Sequence, residues 1–544
     1  MANEMVAVPD PQIVEKLHQE LKKRYKAAKG IADLWQSILQ ASFFYAVPFR
    51  NRFYEPSPSF QGNMKNARLY DTTAVEATQT FVSKLQDTMT PPQTQWGYLE
   101  VDETMVDDPE DPATIMMLQS AQMKLNTYMR KMFNYIHTSN FDVVINECYF
   151  DLAIGTSSLV INQNTDKCPF LCTSIPIDKL CIEEAVDGKI RTWFRTWQDM
   201  KISELNTRWR KIVLTPEMVQ EMMANSDAKV RQLYEGCAYF PNEAKPYLYS
   251  VWTDSALLYC EWLESNPGIV WRWQKTNNET WGRGPVMTAL PSIISLNEMA
   301  RVELAAANLN VFRPYMGFSD SVFNPHTFRL EPFTVIPIAP IGTGGQLPLV
   351  PLPGSSDVQF TQLTIADLRM QIMRLLFAES PSDSASVQPQ TAYELALKQQ
   401  TLAQKIGPLF SRLQQEFLEP VFERFAHILH VMGLLPRPKI EGMEIKFKYK
   451  SPLELAKGQQ DIARLTQFVQ LMQGIMGPQV TQIYMNPKTT PYLMASALQI
   501  DPRYLNKVDD VAAVMQGVQD KQSMIDASGM TPEQPQNPSE QMIQ

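Results

Sequence analysis

The chain has 544 residues, 44% of them hydrophobic and 20% charged, with a formal net charge of −9; this is ordinary globular composition with room for several domains. No apolar run reaches the roughly 20 residues of a membrane-spanning helix and the N-terminus lacks the apolar core of a signal peptide, so a soluble protein made inside a cell, with no membrane partner, is expected. The acidic balance argues against a protein that grips nucleic acid through its phosphates, and six cysteines scattered between Cys148 and Cys260 do not make a disulfide framework.

Residues 11–46 predict a helix with Ile13, Leu17, Leu21 and Tyr25 as its first stripe. Lys22, Lys23, Arg24, Lys26 and Lys29 lie on it, preceded by glutamates, and read as a solvated face rather than a nucleic-acid patch. A polar loop over Arg50–Arg68 leads to a helix over Tyr70–Met89, stopped by Pro91-Pro92, and then to a strand over Trp96–Val101. Asp102–Asp111 holds six acids but lacks the Gly and Glu framework of a calcium loop, so an exposed acidic turn is expected. Helices follow over Pro112–Thr138 and Asn140–Ala153.

From Gly155 to Trp281 short aromatic and β-branched segments (SSLVIN, IRTWFRTW, YLYSVWT, IVWRWQ) predict strands, with Lys201–Tyr234 read as helical. Trp193, Trp197, Trp252, Trp262, Trp271, Trp273 and Trp281 fit either the core of a sheet or a sugar-binding platform.

The chain is organised around Gly284–Gly433. A helix over Ala289–Asn310 carries Leu290, Ile293, Ile294, Leu296, Met299 and Val302 at helical spacing, with Pro291 in its first turn. The proline-rich stretch Phe312–Gln359 rules out a long helix, though FTVIPIAPI allows a short edge strand. A second helix is predicted over Thr361–Ala378. Glu379–Gln390 (ESPSDSASVQPQ) has one valine as its only large apolar residue and reads as a mobile loop. Thr391 caps a long helix to about Val431, with bends at Pro408 and Pro420. Glu444–Lys450 (EIKFKYK) alternates as a half-buried strand, Pro452–Met476 and Tyr504–Ile525 read as helices, and the tail from Ser528 reads as disordered.

Catalytic signatures are missing. Gly342-Thr343-Gly344-Gly345-Gln346 lacks the lysine of a phosphate loop, Gly155-Thr156-Ser157-Ser158 is not a nucleophile elbow, and adjacency of Glu183 and Glu184 is no glycosidase geometry. Cys168 with Cys172, and His427 with His430, do not add up to a metal site. A non-enzyme with no catalytic residues, no metal and no cofactor is expected.

Three segments carry a resemblance: AVEATQTFVSKLQDTMTPPQTQWGYLEV at Ala74–Val101, GRGPVMTALPSIISLNEM at Gly282–Met299, and Pro389–Pro436 with its T-A-x-E start, its G-P and its RLQ-E-x-L-x-P. With the order of parts, they resemble the portal proteins, or head-to-tail connectors, of short-tailed double-stranded DNA bacteriophages. The resemblance implies an α+β, mainly helical, portal-type subunit. Residues 11–284 and 391–443 would form its wing, 285–310 and 360–378 its stem helices, 311–359 its clip, 379–390 its channel loop and 444–525 its crown, with 526–544 a disordered tail. It also implies a homo-oligomeric, dodecameric ring at one capsid vertex of the virion, assembled in the host cytoplasm. Its partners would be the major capsid protein, the packaging terminase, a tail adaptor protein and double-stranded DNA in transit.

The residues fit such a conduit. Ala300, Ala305, Ala306 and Ala307 thin the first stem helix for side-by-side packing in a ring. The proposed channel loop, with Ser380, Ser382, Asp383, Ser384, Ser386, Gln388 and Gln390, has Glu379 and Asp383 as its only charges and so holds no phosphate. Arg369 and Arg374 on the second stem helix suit either transient contact with the DNA backbone or pairing with nearby carboxylates. Phe312, Phe323, Phe333 and Ile338 are the clip's candidates for the adaptor. The other readings are a phage-associated carbohydrate-binding or hydrolytic protein using the tryptophan-rich strands, and a helical scaffold protein without a pore.

Overall fold

The computed structural model describes residues 11–50, 68–101, 112–164, 168–209, 211–225, 227–311, 315–317, 349–351, 358–379, 411–437, 445–449, 462, 465–472 and 474. In chain order its elements are α1 (Pro11–Ala46), α2 (Thr73–Met89), β1 (Gly97–Val101), α3 (Pro112–Thr138), α4 (Phe141–Ile154), β2 (Thr156–Gln163), β3 (Phe170–Ser174), β4 (Leu180–Glu184) and β5 (Ile190–Lys201). Then come α5 (Ile202–Arg208), α6 (Pro216–Ala224), β6 (Lys229–Tyr239), β7 (Tyr247–Trp252), β8 (Leu257–Leu263), β9 (Gly268–Arg272) and α7 (Pro285–Val311). The last are β10 (Tyr315–Gly317), β11 (Leu349–Pro351), α8 (Val358–Leu375), α9 (Glu419–Val431) and β12 (Ile445–Tyr449). The mixture of helix and sheet is the α+β class expected.

The chain divides into two compact units, Met1–Trp96 with Arg130–Pro438, and Gly97–Met129 with Lys439–Gln544. The larger unit holds two antiparallel sheets. One is a five-stranded meander, β4-β5-β6-β7-β8, and the other is ordered β3-β2-β9. Leu21, Tyr25 and Ala28 recur three or four apart on α1, so they share one face and pack on Phe194, Tyr234, Leu248 and Trp252 of the meander. The α1 basic cluster is only partly a solvated face: Lys22 donates to the Asp254 carbonyl, and Arg24 donates to Glu183, Thr192 and the Tyr239 carbonyl.

One expectation is overturned. Residues 201–234 are not one helix, because only α5 and α6 are helical and Lys229–Tyr239 is strand. Val230, Leu233 and Tyr234 mimic helical spacing, but β6 pairs with β5 from Lys201↔Lys229 to Trp193↔Cys237, and that ladder decides its state. Of the two readings of the tryptophans, the core of a sheet is the one realised. Trp193, Trp252, Trp271, Trp273 and Trp281 are buried, the Trp197 ring lies 3.6 Å under the Arg195 guanidinium, and Trp262 packs on Phe240.

The described part of the predicted long helix, residues 411–431, is not uniform, and its expected start with Thr391 and Pro408 lies outside the described residues. Gln414–Leu418 forms a π-helical turn, in which the Glu419 N–H reaches back to the Gln414 carbonyl, and Pro420 is the second residue of α9. Proline has no N–H to give to the carbonyl four residues before it, so the expected bend is taken up as one widened turn. In the smaller unit β1 pairs antiparallel with β12, from Gly97↔Tyr449 to Val101↔Ile445, and Gln122 of α3 donates to the Leu99 carbonyl at 2.7 Å. This ladder joins two strands that the sequence reading assigned to wing and crown.

Candidate functional site

The α7–α8 pair starts from a backbone contact. Gly284 donates its N–H to the Ile154 carbonyl at 2.7 Å, Trp273 donates to the Gly155 carbonyl at 2.8 Å, and the Gly282 N–H is taken by the Thr156 hydroxyl at 2.8 Å. A Cβ on Gly155 would overlap the Gly282 carbonyl, and one on Gly284 would overlap the carbonyls of Ala153 and Ile154. Only glycine allows the end of α4 and the start of α7 to meet this closely.

From there α7 buries Val286, Ala289, Leu290, Ile293, Leu296 and Ala300, a helical stripe. Ala300 therefore packs within its own subunit. Of the alanines expected to face a neighbour, Ala305 and Ala307 are exposed and Ala306 is half-buried. Beyond Ala300 large aliphatics are also exposed, Val302 at 56% and Leu304 at 52%, and on α8 Leu363 is at 68% and Met370 at 51%. α8 packs along α7 and on α2, burying Ile365 and Ile372. β10 and β11, one after α7 and one before α8, pair antiparallel.

α2 and the residues before it hold both helices. The Tyr70 N–H donates to Asn297 of α7 at 2.8 Å, and Arg369 of α8 donates from Nε and Nη2 to Asp71 Oδ2 at 3.0 and 2.8 Å. Burial raises the Asp71 carboxyl, but the hydrogen bonds from Thr73 and Arg369 outweigh it and hold the group below the ordinary carboxylate range. Arg374 donates to Glu379 at 2.7 Å, and Arg301 to Glu298 at 2.9 Å. Of the two readings of Arg369 and Arg374, pairing with carboxylates is the one realised in this subunit.

α8 ends in a way the sequence does not announce. The Phe377 N–H donates to the Arg374 carbonyl at 3.2 Å and the Ala378 N–H to the Met373 carbonyl at 2.8 Å, with Phe377 left-handed at φ 54°. The same pair of bonds closes α9, where Gly433 takes φ 70° and Leu434 donates to Leu429. Glycine adopts that backbone freely, whereas phenylalanine gives up about 1 kcal/mol or more. The Phe377 ring offsets this by packing on Phe81 at 6.2 Å and Trp273 at 6.3 Å between centroids. Lys84 Nζ donates to the carbonyls of Phe377 at 3.1 Å and Glu379 at 2.8 Å.

Sequence reasoning also missed a charge in the core beneath this site. Arg272 of β9 is fully buried. It donates its backbone N–H and Nε to Glu416 Oε2 at 3.1 and 3.2 Å, and Nη2 to Glu416 Oε1 at 2.8 Å and the Gly188 carbonyl at 2.7 Å. An arginine inside the apolar run IVWRW was the available signal. Among the described residues there is no cluster of three metal-ligating side chains; His427 faces Arg437 at 2.9 Å and Glu264 at 3.9 Å. The positions read as channel loop (Ser380–Gln390) and as adaptor contacts (Phe312, Phe323, Phe333, Ile338) lie outside the described residues.

The family profile of bacteriophage head to tail connecting proteins matches residues 18–531, and the chain belongs to that family. It is thus a structural component of the phage virion, found where head and tail meet. No curated protein matches the chain. Among solved structures, a chain in the neck of an empty gene transfer agent particle, computed with C6 symmetry, is similar at 12% identity and TM-score 0.37 over 78% of this chain and 90% of that one. A chain in the virion of a native gene transfer agent particle is similar at 12% identity and TM-score 0.35 over 78% of this chain and 93% of that one. Both likenesses are distant.

Proposed function

We propose that this connector is the portal subunit, a non-enzymatic protein that forms a dodecameric ring at one capsid vertex and passes double-stranded DNA through its centre in packaging and ejection. In this reading α7 and α8 are the stem that lines the passage. The residues between them form the clip that meets the tail adaptor, the segment after Glu379 is the channel loop, residues 11–284 and 391–443 are the wing, and residues 444–525 are the crown. The terminase docks on the ring and supplies the motor, and the major capsid protein surrounds it.

One observation carries the reading. Every cation on the described α7–α8 pair, Arg301, Arg369 and Arg374, has a carboxylate partner in its own subunit. Each phosphate paired with a free Lys or Arg adds affinity and slows passage, so a wall whose cations are already neutralised lets DNA slide. The exposed aliphatics Val302, Leu304, Leu363 and Met370 suit a neighbouring copy, since apolar surface of this kind gains about 25 cal/mol per Å2 when covered. Negative-stain images of the purified protein are expected to show rings with a central hole; a monodisperse monomer under capsid-assembly conditions overturns the proposal.

A further inference from the structure

We propose that Lys84 of α2 is a positioning residue for the conduit: by holding two backbone carbonyls at the end of α8 it sets the direction in which the chain leaves the wall of the passage. The inference rests on the reading of α7 and α8 as that wall, and on contacts that nothing in the family assignment specifies.

The carbonyls of Phe377 and Glu379 lie just past Leu375, the last residue of α8, next to the negative end of the helix dipole. An ammonium has three donors and a full charge, and Lys84 spends two of those donors on Phe377 and Glu379. Phe81 stands three residues earlier on α2, hence on the same face, and its ring meets Phe377. One face of α2 thus grips both the backbone and the ring of the residue that turns the chain.

Glu379 is fixed twice, its carbonyl by Lys84 and its carboxylate by Arg374. Burial lowers the Lys84 ammonium's pKa while the Glu379 carboxylate opposes that change, as suits a charge held over a helix end. The backbone turn does not come from glycine, so its direction depends on these outside contacts more than the equivalent turn at Gly433 does. The ammonium contacts carbonyls, and this predicts which substitutions matter. Removing the donors should free the terminus, whereas removing the Glu379 charge should not.

The test compares Lys84→Met, Lys84→Arg and Glu379→Gln with the unaltered chain, reading exchange of the hydrogen-bonded amides of Phe377 and Ala378 and DNA retained by assembled particles. Lys84→Met is expected to raise exchange at these amides about tenfold or more while the amides of α2 stay protected, and to lower DNA retention. Lys84→Arg is expected to restore both, and Glu379→Gln to leave exchange within about threefold of the parent. Unchanged exchange in Lys84→Met overturns the proposal, as does greater release in Glu379→Gln than in Lys84→Met. Raised exchange with DNA retention unchanged overturns the positioning role. Absence of rings in the unaltered chain refutes the portal reading instead, and the exchange pattern distinguishes the two failures because it is measured on the subunit itself.

Discussion

Removing Glu416 should destabilise the larger unit by about 3 kcal/mol. Arg272 is wholly buried and cannot reach water, and Glu416 supplies its closest countercharge and accepts three of its hydrogen bonds. Breaking such a pair from one side typically costs about 3–5 kcal/mol, because the remaining charge stays in the core. Glu184, 3.7 Å from Nη1, still compensates part of it, and the Gly188 and Thr280 carbonyls keep their bonds, which places Glu416→Ala at the lower end of that range. A loss of that size changes the folded-to-unfolded ratio by roughly a hundredfold, which a urea titration followed by circular dichroism resolves. The double variant Arg272→Met/Glu416→Leu removes both charges and should lose clearly less than the two single variants summed. A loss under about 1 kcal/mol for Glu416→Ala, or strict additivity in the double variant, would refute this account of the core.

Other perturbations have equally definite outcomes. His137 Nδ1 lies 3.0 Å from Asp142 and Nε2 3.0 Å from the Thr94 carbonyl; the Asp142 hydrogen bond raises its pKa above 6.5, with burial acting against it. The stabilisation is therefore complete below 6.5 and lost as pH rises through the raised folded value, so denaturation midpoints should fall as pH rises above 6.5, and fall less in Asp142→Asn, which keeps only the Thr94 contact. Equal pH slopes in the two proteins would contradict this. Gly284→Ala should cost about 1–3 kcal/mol or more, because its Cβ meets backbone that cannot turn aside; a neutral thermal melt would mean that α4 and α7 separate freely. Val302→Asp with Leu363→Asp should leave the subunit folded and cut ring yield at least about tenfold by size-exclusion chromatography. Undiminished rings would put the subunit interface elsewhere.

Much of the fold is legible because helices write their period into the sequence. The predicted bounds of α1 and α3 coincide with the observed ones, and α7 begins at Pro285, one turn ahead of the residues read as its start. The resemblance resting on Ala74–Val101, Gly282–Met299 and Pro389–Pro436 agrees with the family match. What escaped was set by partners distant in the chain. β6 is a strand because β5 lies beside it, and β1 finds β12 across most of the chain, a pairing no local pattern encodes. At the candidate site the composition of α7 and α8 was readable, but their restraint was not. Asp71 and Lys84 look like ordinary surface charges, and Phe377 has none of the glycine or asparagine signature of a helix stop.

The three-glycine junction at the root of α7 has a mechanical side. Side chains yield under load by rotating about their χ bonds, but peptide planes resist bending, and here two segments touch with little between them except peptide planes. A force applied to the far end of α7, whether from a neighbouring subunit or from moving cargo, would reach β2 with almost no slack. α7 then behaves as a cantilever clamped at Gly284 and held again at Asn297, and what compliance it has begins past Ala300, where the buried stripe ends.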